Sequence, residues 1–483
     1  MASSQITSRQ KFHSKMSHKT SVTKCTDFLV GFLAFIFTSV ASDAQVFQTT
    51  SSFPTARYAH ATAQSYNDNI LIFGGVSTTG SNISSAYEYS TANNTWTAKA
   101  SIPNSGGLSR SACVKADSNH IYLFGGSKNG TQGQSEKIFK YSIAQNTWQI
   151  LKPLPDGIGR EQLNAVQMND SIILLSGGLS VISGNLIYQN TCYTYNTKKD
   201  TCIFAGELPN GAINHSASLL PNGEVLITGG FDGSAAHNHV TVFNLQSGLR
   251  TISTNLSTGV SSHTAVLAGG KVYIYGGFNI PAFTYSNELH VYDPETDSLY
   301  LLANGPYGCS QQVMVSFGNS ILIAGGNKLL DNGSVGVTSE AYLFNIQTNE
   351  FTPLSPMPSQ RSEMSLAPIG NSGKFLFSGG HITLSEPYNT GIIYDANPSL
   401  SVDGLAQNGM LRMFPNPAVN QINIMTDNRL QNKRYAIFDV RGKAILQGRL
   451  ETGQTSISTT EFASGIYSIG IEGIKPMRFV VER

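Results

Sequence analysis

From about residue 46 onward, short runs of β-branched and aromatic residues alternate with turns rich in Gly, Asn, Asp and Ser. Runs of four or five such residues bounded by turn formers predict strands. Seven of them end alike: Ile-Leu-Ile-Phe-Gly74-Gly75, Ile-Tyr-Leu-Phe-Gly125-Gly126, Ile-Leu-Leu-Ser-Gly177-Gly178, Val-Leu-Ile-Thr-Gly229-Gly230, Val-Tyr-Ile-Tyr-Gly276-Gly277, Ile-Leu-Ile-Ala-Gly325-Gly326 and Phe-Leu-Phe-Ser-Gly379-Gly380. Gly75 and Gly380 stand 305 residues and six steps apart, a period of about 51. After each pair come some ten loop residues, a strand closing on an aromatic, a polar turn and another strand. Tyr89-Ser-Thr-Ala-Asn-Asn-Thr-Trp96 and Tyr141-Ser-Ile-Ala-Gln-Asn-Thr-Trp148 are two copies.

A four-stranded unit with two apolar faces cannot bury both alone. Stacking such units around an axis covers the faces and leaves only short edges. Glycine at the strand end permits positive φ and close backbone approach. A repeat of about 50 residues with this glycine signature resembles the kelch family. The resemblance implies an all-β fold, a seven-bladed kelch-type β-propeller over residues 45–398. The kelch pattern wants Trp at the last position of the motif; Cys202, Leu299 and Phe351 replace it here, all apolar, so the packing between blades is expected to survive. The seventh repeat lacks a good outer strand after Ile392-Ile-Tyr-Asp395, whereas Val46–Pro54 aligns with Trp96–Pro103. Residues 46–52 are therefore expected to complete the last blade.

Both ends carry other signals. Lys11, Lys15, Lys19 and Lys24 precede an apolar stretch, Phe28–Phe37, and then small residues up to Ala44. Residues 1–44 read as a signal peptide, with Met16 an alternative start. Ten apolar residues are too few to span a bilayer, so no transmembrane segment is expected after cleavage. Residues 399–411 read as a linker, and 412–483 alternate as the short strands of a small Ig-like β-sandwich. Phe414-Pro-Asn-Pro417, Phe438-Asp-Val-Arg-Gly-Lys443, Phe462-Ala-Ser-Gly-Ile-Tyr467 and the basic end Lys475–Arg483 resemble the type A C-terminal sorting domain of the type IX secretion system of Bacteroidota. The resemblance implies type IX machinery as a partner of residues 412–483. It also implies passage through the periplasm to the outer-membrane surface or the medium.

Charge narrows the classes of partner. Charged residues are 13% of the chain and the formal net charge is +1, with no basic run interleaved with aromatics, which argues against nucleic acid. In an exported chain, Cys192 and Cys202 flank a short turn and are candidates for a disulfide. No CxxC or His/Cys cluster points to zinc, and His237-Asn-His239 lacks a third ligand, so neither a metal nor a cofactor is expected. The copper site of galactose oxidase, which is built on kelch repeats, has no residue-by-residue counterpart.

Candidate binding residues follow the Pro-rich turns, where the chain enters the channel: Arg57, His60, Arg110, Arg160, Glu161, His215, His263, Gln311, Arg361 and Glu363. Arginine forks suit carboxylates. Polar residues with scattered aromatics in the loops after the glycine pairs suit a protein or glycan ligand. The resulting expectation is a non-catalytic secreted or surface binding module. The alternative is a kelch-type carbohydrate-active enzyme such as a sialic acid mutarotase, with an Arg/Glu pair in acid–base roles.

Overall fold

The computed structural model describes residues 46–482 apart from 105, 130–132, 397–410, 415–417, 427–430, 440–442 and 472–473. The expected signal peptide and most of the expected linker lie outside the described residues; Leu411, assigned to the linker, already opens a strand. Seven of the four-stranded antiparallel sheets among the described residues form the blades of the propeller. Blade I consists of Ala61–Gln64, Ile70–Phe73, Ala86–Ser90 and Thr95–Lys99. Blades II to VI repeat this order, their innermost strands being Ala112–Lys115, Asn164–Gln167, Ser216–Leu219, Thr264–Ala268 and Val313–Phe317. Blade VII takes Ser365–Ile369, Lys374–Ser378 and Thr390–Asp395 from the end of the array. Its fourth strand is Phe47–Ser52, with Phe47 opposite Tyr394. The ring thus closes through the start of the propeller, as the alignment of Val46–Pro54 implied.

Every seam between blades holds its own apolar cluster. Phe73 and Leu71 meet Phe139 and Tyr141 between blades I and II. Phe47, Phe377 and Tyr394 meet Leu322 and Ala341 between VI and VII. Leu376 meets Ile70 and Tyr89 across the closing seam.

A main-chain bond stitches each seam at its inner end. The N–H of the second glycine donates to a carbonyl of the next blade: Gly75 to Leu108, Gly126 to Arg160, Gly178 to Ala212, Gly230 to Val260, Gly277 to Cys309 and Gly326 to Arg361, at 2.7–2.9 Å. The seventh, Gly380 to Arg57 at 3.1 Å, closes the ring. Gly74 shows why its position excludes a side chain. Its φ is 63°, and a Cβ there would stand 2.1 Å from the Leu108 carbonyl oxygen. The glycine pairs are the residues that let blades touch main chain to main chain.

The C-terminal module has two antiparallel sheets. One joins Leu411–Phe414, Gln421–Thr426 and Gly453–Ser458; the other joins Ala444–Arg449, Arg434–Phe438, Gly465–Ile471 and Ile474–Val481. Ile422, Ile424, Ile437, Ile469, Phe479 and Val481 share one core between them.

The disulfide expected between Cys192 and Cys202 is not made; both thiols are free. Strand register places Tyr195 opposite Cys202 and Gly206 opposite Cys192. Cys192 belongs to the III/IV seam and Cys202 packs against the II/III seam, so the two lie on opposite faces of blade III.

Removing residues 46–52 should open the ring. Loss of a buried phenylalanine such as Phe47 costs about 3–5 kcal/mol by itself, against a net stability of about 5–15 kcal/mol for a typical fold. The expected outcome is a fall in the melting temperature of more than 10 °C by calorimetry. An unchanged Tm would contradict closure by this strand.

Candidate binding face at the channel mouth

The entry to each innermost strand is a four-residue corner. Aligned on the seam bonds, the corners read Arg57-Tyr-Ala-His60, Leu108-Ser-Arg-Ser111, Arg160-Glu-Gln-Leu163, Ala212-Ile-Asn-His215, Val260-Ser-Ser-His263, Cys309-Ser-Gln-Gln312 and Arg361-Ser-Glu-Met364. Three of the four corner positions have distinct physical tasks.

The first position carries the stitching carbonyl, and three blades place arginine there. Arg57, Arg160 and Arg361 are almost fully buried, with Arg57 at 0% exposure. Arg57 donates from Nη1 to the Gly74 carbonyl at 2.7 Å and to the Ser85 carbonyl at 3.0 Å. Arg361 donates to the Gly379 and Thr390 carbonyls at 2.9 and 2.6 Å and lies 3.9 Å from the Tyr388 ring centroid. Arg160 pairs with Asp156 and reaches the Thr191 hydroxyl at 2.9 Å. Burial lowers the pKa of both Arg57 and Arg361 to about 10, so they remain charged near neutrality. These guanidiniums are internal struts that satisfy carbonyls at the glycine corners. They are not presented to a ligand, which corrects the expectation for all three.

The fourth position locks neighbouring blades together. Nε2 of His60 shares a 2.7 Å hydrogen bond with Ser378 Oγ. His215 does the same with Ser176, and His263 with Thr228, both at 2.8 Å. In each case the hydroxyl immediately precedes the glycine pair of the preceding blade. Gln312 serves blade VI by donating to the Tyr275 carbonyl at 2.9 Å. All three histidines are buried. Desolvation lowers His60 and His263 to about 3 and His215 to about 4. They too are seam residues, not ligand-facing ones.

The third position forms the mouth. Ala59, Arg110, Gln162, Asn214, Ser262, Gln311 and Glu363 all adopt the left-handed conformation, with φ between 51° and 56°. Main-chain bonds run around this ring: Arg110 N–H to Ala59 O, Gln162 to Arg110, Ser262 to Asn214 and Gln311 to Ser262, at 2.8–3.0 Å. Non-glycine residues tolerate this backbone only where the surroundings over-determine it, and such positions cluster at ligand sites. Of the ten expected residues, Arg110, Gln311 and Glu363 belong to this ring, and Glu161 adjoins it.

One sector of the mouth is chemically dense. Gln311 Nε2 donates to Glu363 Oε1 at 2.6 Å. Its Oε1 accepts from Asn327 Nδ2 at 2.6 Å and from the Ser362 hydroxyl at 3.0 Å. The second carboxylate oxygen of Glu363 faces Nε2 of His381 at 3.8 Å, and neither atom has a hydrogen-bond partner. Burial lowers the His381 pKa, while the Glu363 carboxylate pulls it the other way. The His381 ring packs edge-on to Tyr58 at 4.7 Å, and Tyr58 in turn lies 5.9 Å from the Arg110 guanidinium. Glu161 Oε2 and Gln162 Oε1 are further buried acceptors without a partner. Gln162, Asn327 and His381 escape a reading that takes the polar residues of each corner without aligning all seven. Among the described residues no group of three or more His, Cys, Asp and Glu side chains is arranged to hold a metal, and His237 instead faces Asp232 at 3.3 Å.

Residues 32–203 and 164–380 match the family described as the KLHDC2/KLHL20/DRC7 Kelch-repeats domain. The chain belongs to the kelch-repeat family. Residues 412–478 match the secretion system C-terminal sorting domain, so this kelch protein carries a signal for export. It is 26% identical over 243 residues to Kelch-like protein 15 of Danio rerio, a match covering 45% of this chain and 38% of that protein. It is 23% identical over 339 residues to Kelch domain-containing protein 10 of Rattus norvegicus, covering 63% of this chain and 79% of the relative. The chain thus spans about four-tenths of the length of its Kelch-like protein 15 relatives. A solved structure titled "Structure of YjhT" aligns with 63% of this chain and 99% of its own, at 16% identity and a TM-score of 0.48.

The histidine locks make the kelch propeller acid-sensitive. Their folded pKa values lie below the ordinary 6.5, so only the unfolded chain takes up protons as pH first falls. Their contribution is complete above about pH 6.5 and is lost progressively toward pH 3–4. Replacing His60, His215 and His263 by Gln, the residue already at position 312, should flatten the decline in Tm between pH 6.5 and 4. An equally steep decline in the triple variant would contradict this.

Proposed function

We propose that the propeller is an exported binding module whose channel-mouth face holds a partner protein outside the cytoplasm. The observation that carries this reading is the coupling of an unsatisfied polar mouth to an apolar crest. The loops after the glycine pairs start at the mouth corners, through bridges such as Glu161–Leu179, Ser310–Asn327 and Ser362–His381. In blades III, V and VI they rise as extra two-stranded hairpins. Their tips expose Leu186, Phe283 and Val335, Phe283 to 71%, and the blade VII loop exposes Leu384. Neighbouring hairpins of blades V and VI touch. Exposed aliphatic tips around a polar centre suit a protein surface, in which apolar anchors surround a few fixed hydrogen bonds. Glycans are the other expected class of ligand, favoured by the amide and hydroxyl groups of the mouth.

Purified protein should therefore bind ligands on protein and peptide arrays through this face. Leu186→Ser, Phe283→Ser and Leu384→Ser together should weaken binding by at least tenfold and leave Tm unchanged. Selective glycan binding, equal in wild type and variant, would overturn the choice of a protein partner. A second reading rests on Glu363 and His381, whose unpaired atoms stand where a carboxylate and an imidazole can exchange protons with a sugar. Saturable turnover in a sugar mutarotation assay, lost in Glu363→Gln, would favour that enzyme.

Export is read as proceeding through the periplasm and the type IX apparatus to the cell surface. Truncation after residue 410 should strand the folded propeller in the periplasm, as measured by cell fractionation. Normal surface delivery of the truncated chain would contradict this route.

A further inference from the structure

The outer ends of two seams share one design, and six of the seven blades fill the same position with a large apolar side chain. In blade I the second residue of the outer strand is Trp96, set opposite Tyr89. Its indole N–H donates to the Ser51 carbonyl of the neighbouring blade at 2.9 Å. Asn94 Oδ1 accepts from the Tyr89 hydroxyl at 3.0 Å and from the Ser51 N–H at 2.7 Å. Blade II repeats the arrangement. Trp148 donates to the Ala100 carbonyl at 2.8 Å, and Asn146 accepts from Tyr141 and from the Ala100 N–H at 2.7 and 2.8 Å. Register gives the same position to Leu249, Leu299, Phe351 and Phe47 in blades IV to VII.

In blade III this position is Cys202, opposite Tyr195. Cysteine is the smallest residue of the seven, and a half-open cavity of about 250 Å³ stands at the seam. Its walls are Lys152, Pro153, Pro155, Tyr195, Asp200 and Cys202. Cys202 still packs against the apolar cluster of this seam, as expected, but leaves a recess on its outer side. Lys152 is the counterpart of Ser51 and Ala100, each standing three residues before a proline: Pro54, Pro103 and Pro155. The described hydrogen bonds give its main chain no partner like those of Ser51 and Ala100. The Tyr195 hydroxyl still donates to Asp200 at 2.9 Å. Burial pushes the Cys202 thiol up to about 12, so the thiol is neutral.

We propose that this slot receives the tryptophan side chain of a partner polypeptide, its indole N–H donating to the Lys152 carbonyl. The chain itself shows that an indole suits such a site, because two sibling seams are filled by one. An apolar cavity of about 150 Å³ is enough to hold benzene, so the space here admits a bicyclic ring. The source is a polypeptide because the sheet edge beside the slot is itself adhesive. Ile203 and Phe204, next along the outer strand, are 63% and 56% exposed. A buried aromatic anchor ringed by apolar contacts is the usual energetic centre of a protein interface. This site lies on the outer wall of the ring and is independent of the mouth.

The test uses the full secreted chain with 3-methylindole, 1,3-dimethylindole and a capped pentapeptide containing one central tryptophan, titrated by ligand-observed NMR. The expected results are saturable binding of 3-methylindole, several-fold weaker binding of 1,3-dimethylindole, which lacks the N–H, and peptide binding no weaker than that of 3-methylindole. Cys202→Trp should raise Tm and abolish binding of all three. Should that variant not fold, Cys202→Phe takes its place and should also block the probes. Absence of 3-methylindole binding would overturn the site, leaving a packing defect. Undiminished binding by a folded Cys202→Trp or Cys202→Phe variant would place it elsewhere. Binding of 3-methylindole with exclusion of the peptide would overturn the polypeptide source.

Discussion

The hydrogen bond from the second glycine of each pair to a carbonyl of the next blade fixes how closely the sheets approach at the channel. Seven such bonds set the pitch of the ring, and everything outward follows from that spacing. The apolar faces meet because the inner ends are already in contact. Gly380 and Arg57 make the last bond between residues far apart in sequence but in the same relation as Gly75 and Leu108. Closure is thus one more copy of a repeated contact. The outer strand Phe47–Ser52 then ties the first residues of the propeller to its last blade.

The same geometry sorts polar residues by task. A long side chain on the stitching residue turns back onto its own glycine corner, which is why Arg57, Arg160 and Arg361 disappear into the fold. A side chain at the end of the corner reaches the preceding blade, where His60, His215 and His263 each find a hydroxyl. The left-handed third residue is left to line the mouth, with Glu161 and His381 beside it. The polar mouth is what remains once the seams have taken the groups they need. Glu363, His381 and Glu161 keep unpaired atoms there.

Much of this was legible in the sequence. The glycine pairs report a main-chain constraint that no other residue satisfies, so they mark the blade number directly, while the likeness of Val46–Pro54 to Trp96–Pro103 marks the closing strand. The site was less legible because arginine and histidine look alike whether they serve a ligand or a carbonyl. The distinguishing signal is a correlation: histidine occurs at the end of a corner where the preceding blade carries Ser378, Ser176 or Thr228. Cys202 packs as expected but hides a recess, for a related reason. Its apolar character suits the seam, while its volume, which periodicity does not report, leaves a slot.

Native-state hydrogen exchange followed by mass spectrometry tests the closed ring most directly. The amides of Phe47–Ser52 should be protected to the same free energy as those of Thr390–Asp395 and should open with them in one cooperative event. Exchange of Phe47–Ser52 at the rate of an unstructured segment, with the other blades still protected, would contradict a ring closed by that strand.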